Sequence, residues 1–421
     1  MALESVQRWL LDEGRFILSP EQFIRQLCVE LNRAGLEITR CNVPIRTMHP
    51  EVAVRIYIWR SAPIEGPEFP DGQGVVASRV DSSREGVMQV YSIQHEPQHT
   101  PEFVASPIYR VMTRRERVHV PIGPDEASDA YPVIADFRAE GATGYVCLPV
   151  IHSDRLTSPF SLVTERAGGF DEAALQGLDA LMPVLSMSIE RFSAANALEG
   201  LLQTYVGHEP ARHVLAGRFQ LGDVQHVRAA IWFSDLRGFT GLASTLSSRA
   251  LVQTLNQYFG VLARPLERYK GALLKFIGDA VLVLFPVDDA RDERQACVDA
   301  LAAARAACAE LAAMNAANAD ADAPQLAHGI GLHFGHAEYG NVGMPTRLDF
   351  TVIGHDVNVT ARIESMCRPL GRELLASRSF ADRVPDEPFS STGEHRLAGV
   401  PELVEIVAFP LAEPGRDLSE S

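Results

Sequence analysis

Phe233-Ser234-Asp235-Leu236-Arg237-Gly238-Phe239-Thr240 and, further on, Lys275-Phe276-Ile277-Gly278-Asp279 decide the reading of this chain. Each sets one carboxylate at the edge of a hydrophobic strand, beside a glycine. The first strand runs Ala229-Ala230-Ile231-Trp232-Phe233 and breaks at Ser234-Asp235. The second is a hairpin, Ala272 to Ile277, which turns at Gly278-Asp279 into Val281-Leu282-Val283-Leu284-Phe285. Strand ends hold side chains rigidly, and glycine lets a phosphate approach the backbone. Two aspartates brought together from neighbouring strands can hold a pair of hard divalent cations. Two such cations clamp the attacking and leaving oxygens of an in-line phosphoryl displacement. Either segment alone is also ordinary turn chemistry.

A third block follows, Phe350-Thr351-Val352-Ile353-Gly354-His355-Asp356-Val357-Asn358-Val359-Thr360-Ala361-Arg362-Ile363-Glu364. A short strand passes through Gly354 into a helix. Asn358 and Arg362 are four apart and so share one helix face. An amide and a guanidinium so placed suit an anionic, oxygen-rich transition state, because arginine offers phosphate a rigid fork of donors.

These three blocks, in this order, resemble the catalytic domain of the class III adenylate and guanylate cyclases over roughly residues 227 to 409. The resemblance implies roles residue by residue. Asp235 and Asp279 match the aspartates that bind two Mg2+ or Mn2+ ions, and Leu236 contributes its backbone there. Leu236 to Phe239, with Gly238, match the turn that passes close to the metals and nucleotide phosphates. Asn358 matches the ribose-orienting asparagine, and Arg362 the arginine that stabilises the reacting phosphate. Lys275 and Thr351 match the purine-selecting pair, as in a bacterial subgroup that uses threonine where many adenylate cyclases carry aspartate. Guanylate cyclases typically carry glutamate in place of the lysine, so the pair favours adenine and hence ATP. The resemblance departs from the pattern at Leu397-Ala398-Gly399-Val400, where members often place a phosphate-binding lysine at the alanine. Arg396 is a candidate substitute, as are Arg372 and His395.

The resemblance also implies a homodimer. The metal-binding aspartates of one subunit would meet the purine-reading and transition-state residues of the other, giving composite sites. The expected activity is conversion of ATP to 3′,5′-cyclic AMP and pyrophosphate. Guanylate cyclase activity, or a catalytically weak nucleotide-binding signalling module, are the alternatives.

Composition fits. The 421 residues suffice for two domains. A hydrophobic fraction of 46% and a charged fraction of 22% are those of a globular protein. A formal net charge of −16 argues against nucleic acid as a partner. No apolar run approaches the roughly 20 residues that span a bilayer. The first ten residues read as an amphipathic helix and not a signal peptide. The six cysteines form no Cys-x-x-Cys set. A cytoplasmic protein with reduced thiols is expected.

The expected fold is α+β, a ferredoxin-like cyclase domain at 226–410 with helices on one face of its sheet. It is preceded by a GAF-like α/β regulatory domain at 1–170 that takes an unknown small-molecule or protein input, and by a helical coupling linker at 171–225. A disordered tail occupies 411–421. In the first domain, helices are expected over 3–15 and 20–34 and strands over 52–59, 86–92 and 143–150. His49, His95, His99 and His119 are candidates for haem or metal ligands, but they lack ligand spacing and read as surface or hydrogen-bonded histidines. Gly168-Gly169-Phe170-Asp171-Glu172 reads as an N-cap loop opening a long helix to Tyr205. Leu175, Leu178, Met182, Leu185, Ile189 and Phe192 have the alternating spacing of a coiled-coil seam, a candidate second dimer contact, although Pro183 interrupts it. An amphipathic helix packed on its own domain has the same spacing. In the catalytic domain the expected strands are 227–234, 272–286 as a hairpin, 326–334, 348–353, 372–376 and 403–409. The expected helices there are 240–245, 249–268, 289–317 and 355–367.

Overall fold

The computed structural model of the protein describes residues 3–62, 75–82, 86–95, 100–123, 131–319 and 324–411. His99 and the tail after Leu411 lie outside the described residues. The chain divides into two compact units, Met1–Thr204 and Tyr205–Ser421.

The first unit opens with helices α1 (Glu4–Asp12) and α2 (Pro20–Arg33). Ser19 caps α2 by accepting from the Gln22 amide, and Pro20 follows at the first helical position, where its missing N–H costs nothing. Strands β1 (Ile38–Arg46), β2 (Val52–Arg60), β3 (Val75–Ser82) and β4 (Gly86–Gln94) come next. Short helices α3 (Pro101–Val104) and α4 (Pro107–Arg114) lead to β5 (Val118–Pro121). Helix α5 (Val133–Ala139), β6 (Gly144–Ile151), β7 (Thr157–Thr164) and the long helix α6 (Glu172–Val206) complete the unit. The strand order is β3-β4-β2-β1-β7-β6-β5, with antiparallel neighbours throughout. Side chains of α1, α2 and α6 share one buried cluster with the sheet, and those of α4 and α5 share another. Two central strands, β1 and β7, escape the sequence reading because Pro44 and Pro159 interrupt them; proline ordinarily argues against a central strand.

Asp171 caps α6, accepting from the Ala174 amide at 2.8 Å. The helix runs unbroken through Pro183. All six residues of the expected coiled-coil seam, Leu175 through Phe192, are buried in the first unit's own core. The seam is thus the core-facing stripe of a packed helix, and not a free dimer contact. The two arrangements share one spacing, so the sequence could not separate them.

The second unit contains α7 (His208–Leu215), β8 (Val224–Leu236), α8 (Phe239–Thr245), α9 (Ser248–Arg268), β9 (Ala272–Ile277) and β10 (Ala280–Pro286). These are followed by α10 (Glu293–Ala317), β11 (His328–Met344), β12 (Arg347–Ile353), α11 (His355–Ser365) and β13 (Leu374–Ser377). Helix α12 (Arg378–Ala381), β14 (Ser390–Arg396) and β15 (Leu403–Ala408) close it. The sheet order is β14-β15-β13-β11-β8-β10-β9, and β12 pairs with the distal half of β11. Only β11 and β13 pair in parallel among the described strands.

Helix α10 starts at Glu293, behind an Asp292 cap that accepts from the Gln295 amide. Strand β11 is longer than expected, because glycines at 335, 340 and 343 hid its continuation. Strand β14 reads as polar loop and was not foreseen. Helices also cover both faces of the sheet, contrary to expectation. Ile330, Leu332 and Phe334 of β11 enter the core with α9 and α10, whereas the alternate positions Gly329, Gly331 and Gly335 meet α11. Strand side chains alternate faces, so the two helical layers must lie on opposite sides.

Candidate active site

Asp235 is the penultimate residue of β8, and Asp279 sits at the tip of the β9–β10 hairpin. Val281 pairs with Ser234, so the register brings the two carboxylates alongside one another. Gly278 takes φ +66° at the first central position of the two-residue turn, as a type II′ hairpin requires. The carboxyl group of Asp279 lies close enough to that of Asp235 to act on it. Burial first, and then the Asp279 charge, raise the Asp235 carboxyl to about 6. Two carboxylates this close repel one another unless a proton or a cation offsets their charge. Hard oxygen donors with this unmet charge fit a divalent cation. Among the described residues, no group of three or more His, Cys, Asp and Glu side chains forms a metal cage. An ion here would therefore take ligands from the backbone, solvent or nucleotide as well.

Leu236 is buried, ending β8, and Arg237 donates its amide to the Ala327 carbonyl at 2.8 Å. Gly238 takes φ +74° and starts α8 at Phe239, with the amides of Gly241 and Leu242 returning to its carbonyl. That left-handed glycine turns the chain sharply beside Asp235.

Lys275 lies on β9, and its ammonium pairs with the Asp349 carboxylate on β12. Thr351 is two residues past Asp349 and so shares its strand face. The structure thus brings Lys275 to the strand that carries Thr351. Asp349 is a functional candidate that sequence reasoning missed; its period-two relation to Thr351 was the available signal.

Asn358 and Arg362 are both exposed on α11, while Val359, Thr360 and Ile363 are buried. Glu364, on the same helix, faces the other way. Its carboxyl lies against Gly329, the cross-strand partner of Asp235. Burial, then Asp235, raise Glu364 to about 7, with Asp279 adding and Arg237 opposing. Residues two apart on a helix diverge by about 200°. With Glu364 directed toward its own chain's aspartates, Arg362 is directed away from them.

Arg396 ends β14, on the sheet edge opposite β9, and is not brought to Lys275. Leu397 and Val400, flanking Ala398, share a buried cluster with Val359 and Ile363 of α11. His395 is occupied within its own strand by Thr392, and the Arg372 carbonyl accepts from Arg237. Phe276, Ile277, Leu348 and Ile353 are exposed apolar side chains on the strands that carry Lys275, Asp349 and Thr351. Several exposed apolar groups on one stretch of surface suit a protein partner.

Residues 223–377 match the sequence model of the family described as the adenylate and guanylate cyclase catalytic domain. Adenylate cyclase 1 of Rhizobium meliloti is 27% identical over 252 residues, covering 57% of this chain and 36% of the relative. Adenylate cyclase of Anabaena cylindrica is 28% identical over 247 residues, covering 52% and 47%. An uncharacterised protein of Mycobacterium tuberculosis is 34% identical over 177 residues, covering 42% and 31%. The chain spans between about a third and a half of the length of these curated relatives. Among solved structures, the adenylyl cyclase CyaB of P. aeruginosa is 28% identical with a TM-score of 0.41, covering 44% of this chain and 95% of that one. The guanylyl cyclase Cya2 is 28% identical with a TM-score of 0.39, covering 47% and 98%. Residues 223–377, within the second unit, are thus identified as a class III adenylate and guanylate cyclase catalytic domain.

Proposed function

We propose that the protein is an adenylate cyclase that forms 3′,5′-cyclic AMP and pyrophosphate from ATP at sites shared between two copies of the chain. The observation that carries the shared site is the divergence of Arg362 from its own aspartates. A single chain presents two half-sites, and a two-fold pair would join them into two complete ones. The exposed apolar side chains around Lys275 and Thr351 supply a surface for that pairing.

In this reading Asp235, Asp279 and the Leu236 backbone would hold two Mg2+ or Mn2+ ions. Bound ions would supply Lewis-acid stabilisation of charge on the reacting and leaving phosphates. The 3′-oxygen of the ribose attacks the α-phosphorus, the bond to pyrophosphate breaks, and the 3′-proton passes to solvent. Asn358 orients the ribose, and Arg362 donates to the phosphate as its charge grows. Lys275 donates to the adenine ring nitrogen, and the Thr351 hydroxyl accepts from the exocyclic amino group. Gly238 and Phe239 shape the turn that approaches the phosphates. No positioned lysine replaces Ala398, so affinity for the terminal phosphates is low. Arg396 would have to reach them from another element.

The first unit is read as a regulatory domain with a small-molecule or protein input, in a cytoplasmic protein. No helix among the described residues is long and apolar enough to cross a membrane. Incubating the purified chain with Mg2+ or Mn2+ and either ATP or GTP tests the reading. Cyclic AMP from ATP is expected. Cyclic GMP from GTP in its place, or no cyclisation with either triphosphate, would overturn it.

A further inference from the structure

Strand β11 presents Gly329, Gly331, His333 and Gly335 at alternate positions, which puts all four on one face. Helix α11 lies directly on that face. A methyl group added at Gly331 would stand 2.5 Å from the Glu364 amide nitrogen and 2.7 Å from the Thr360 carbonyl oxygen. One added at Gly335 would stand 2.1 Å from Oδ2 of Asp356. Helix and strand therefore touch with no strand side chain between them at the glycines. A surface of glycines offers no ridges for a helix to lock into, so packing alone sets its rotation and axial position weakly.

His333 is the one side chain among the four positions. Its Nδ1 is 2.7 Å from the Ser377 hydroxyl and 3.3 Å from that of Ser379, which fixes the ring. Its Nε2 faces Oδ1 of Asp356 at 3.7 Å. The other Asp356 oxygen accepts from the His336 amide at 2.7 Å. The Thr360 hydroxyl donates to the Asp356 carbonyl at 2.7 Å, tying the first helical turn to the second. Asp356 lies in that first turn, two residues before Asn358 and six before Arg362.

We propose that His333 and Asp356 form a latch that seats α11 on the glycine lane, and are positioning residues for Asn358 and Arg362 during cyclisation. The latch does not touch substrate. It sets where the guanidinium stands when charge grows on the phosphate, and a misplacement of about 1 Å can cost on the order of a hundredfold in rate. The inference rests on the assignment of Arg362 to the reacting phosphate.

The test uses the full chain and steady-state kinetics with ATP, beside melting temperatures. Asp356→Ala is expected to lower kcat by about tenfold or more while KM for ATP moves less than about threefold, because the purine contacts lie on β9 and β12 and the Arg362 contact strengthens only as charge grows on the phosphate. Asp356→Asn should recover part of kcat, since its amide oxygen still accepts from the His336 amide. Gly335→Ala should mimic Asp356→Ala by displacing the carboxylate. The double variant should then be no worse than Asp356→Ala alone, since both changes act through one contact. Wild-type kcat in a stably folded Asp356→Ala protein would overturn the proposal, as would losses that multiply in the double variant. If Gly335→Ala does not fold, the kcat of Asp356→Ala against that of Asp356→Asn decides alone. Wild-type turnover in Arg362→Ala would instead overturn the assignment on which the latch rests.

Discussion

Glu364 and Arg362 stand on opposite sides of α11: the carboxyl of the first lies over Gly329, beside Asp235, and the second is exposed. The expected consequence is complementation. Asp279→Ala chains and Arg362→Ala chains should each be inactive. Mixed and allowed to exchange, they should regain about a quarter of wild-type activity, since half of the random dimers carry one intact site of two. Demonstrated exchange without recovered cyclic AMP would rule out shared sites.

The Asp235–Asp279 contact predicts a specific pattern for their variants. Asp235→Ala and Asp279→Ala should abolish cyclisation, since charge stabilisation of this kind is worth several kcal/mol. Removing one of two facing carboxyls relieves like-charge repulsion, so the cation-free Asp279→Asn protein should melt no lower than wild type. Its melting temperature should also lose the rise that Mn2+ produces in wild type. A Mn2+-induced rise of wild-type size in Asp279→Asn would show that the cation binds elsewhere.

The pairing of Lys275 with Asp349 bears on base choice. Lys275→Glu removes the proposed donor to the adenine ring and sets two carboxylates against each other. It should lower kcat/KM for ATP far more than for GTP, because a site built on hydrogen bonds rejects a base whose donors and acceptors are mismatched. An unchanged ATP-to-GTP ratio would mean that Lys275 does not read the purine.

His328 predicts a pH dependence of stability. It is buried, paired across the strands with Leu236, with Nε2 3.3 Å from the Cys308 thiol, and burial lowers it to about 4. The folded protein thus binds this proton less readily than the unfolded chain, whose histidine titrates near 6.5. Stability is intact above about 6.5 and falls as pH drops toward 4, by an amount on the order of 3 kcal/mol. The difference in unfolding free energy between wild type and His328→Gln should therefore change across pH 6.5 to 4. A constant difference over that window would contradict the buried neutral imidazole.

The paired aspartates of the proposed metal site were legible as candidates because strand, glycine and carboxylate lie within a few residues of one another. Asn358 and Arg362 were legible for the same reason, their relation being a fixed helical spacing. Asp349, Glu364 and His333 were not, because each matters through a partner 74, 35 or 23 residues away in sequence: Lys275, Gly329 and Asp356 respectively. In the first unit, proline in β1 and β7 and polar residues along β1 masked central strands. The stripe on α6 was legible as a stripe; what it packs against depended on the sheet in front of it.

The glycine lane of β11 has a kinetic side. A strand with glycine at 329, 331, 335, 340 and 343 has little intrinsic preference for extended backbone, and ordering glycine costs more chain entropy than ordering other residues. The first half of β11 pairs with β8 and β13, both distant in sequence, while the β9–β10 hairpin and the β11–β12 end each close through two residues. Local closure precedes remote pairing where loop entropy dominates. The hairpin bearing Asp279 should therefore form early, and the glycine-rich first half of β11 should take shape late, templated by β8 and sealed by α11. Truncations in β10 would then slow folding, whereas truncations at β11 would mainly hasten unfolding. The helix that carries Asn358 and Arg362 would be among the last parts of the molecule to settle and the first to come loose.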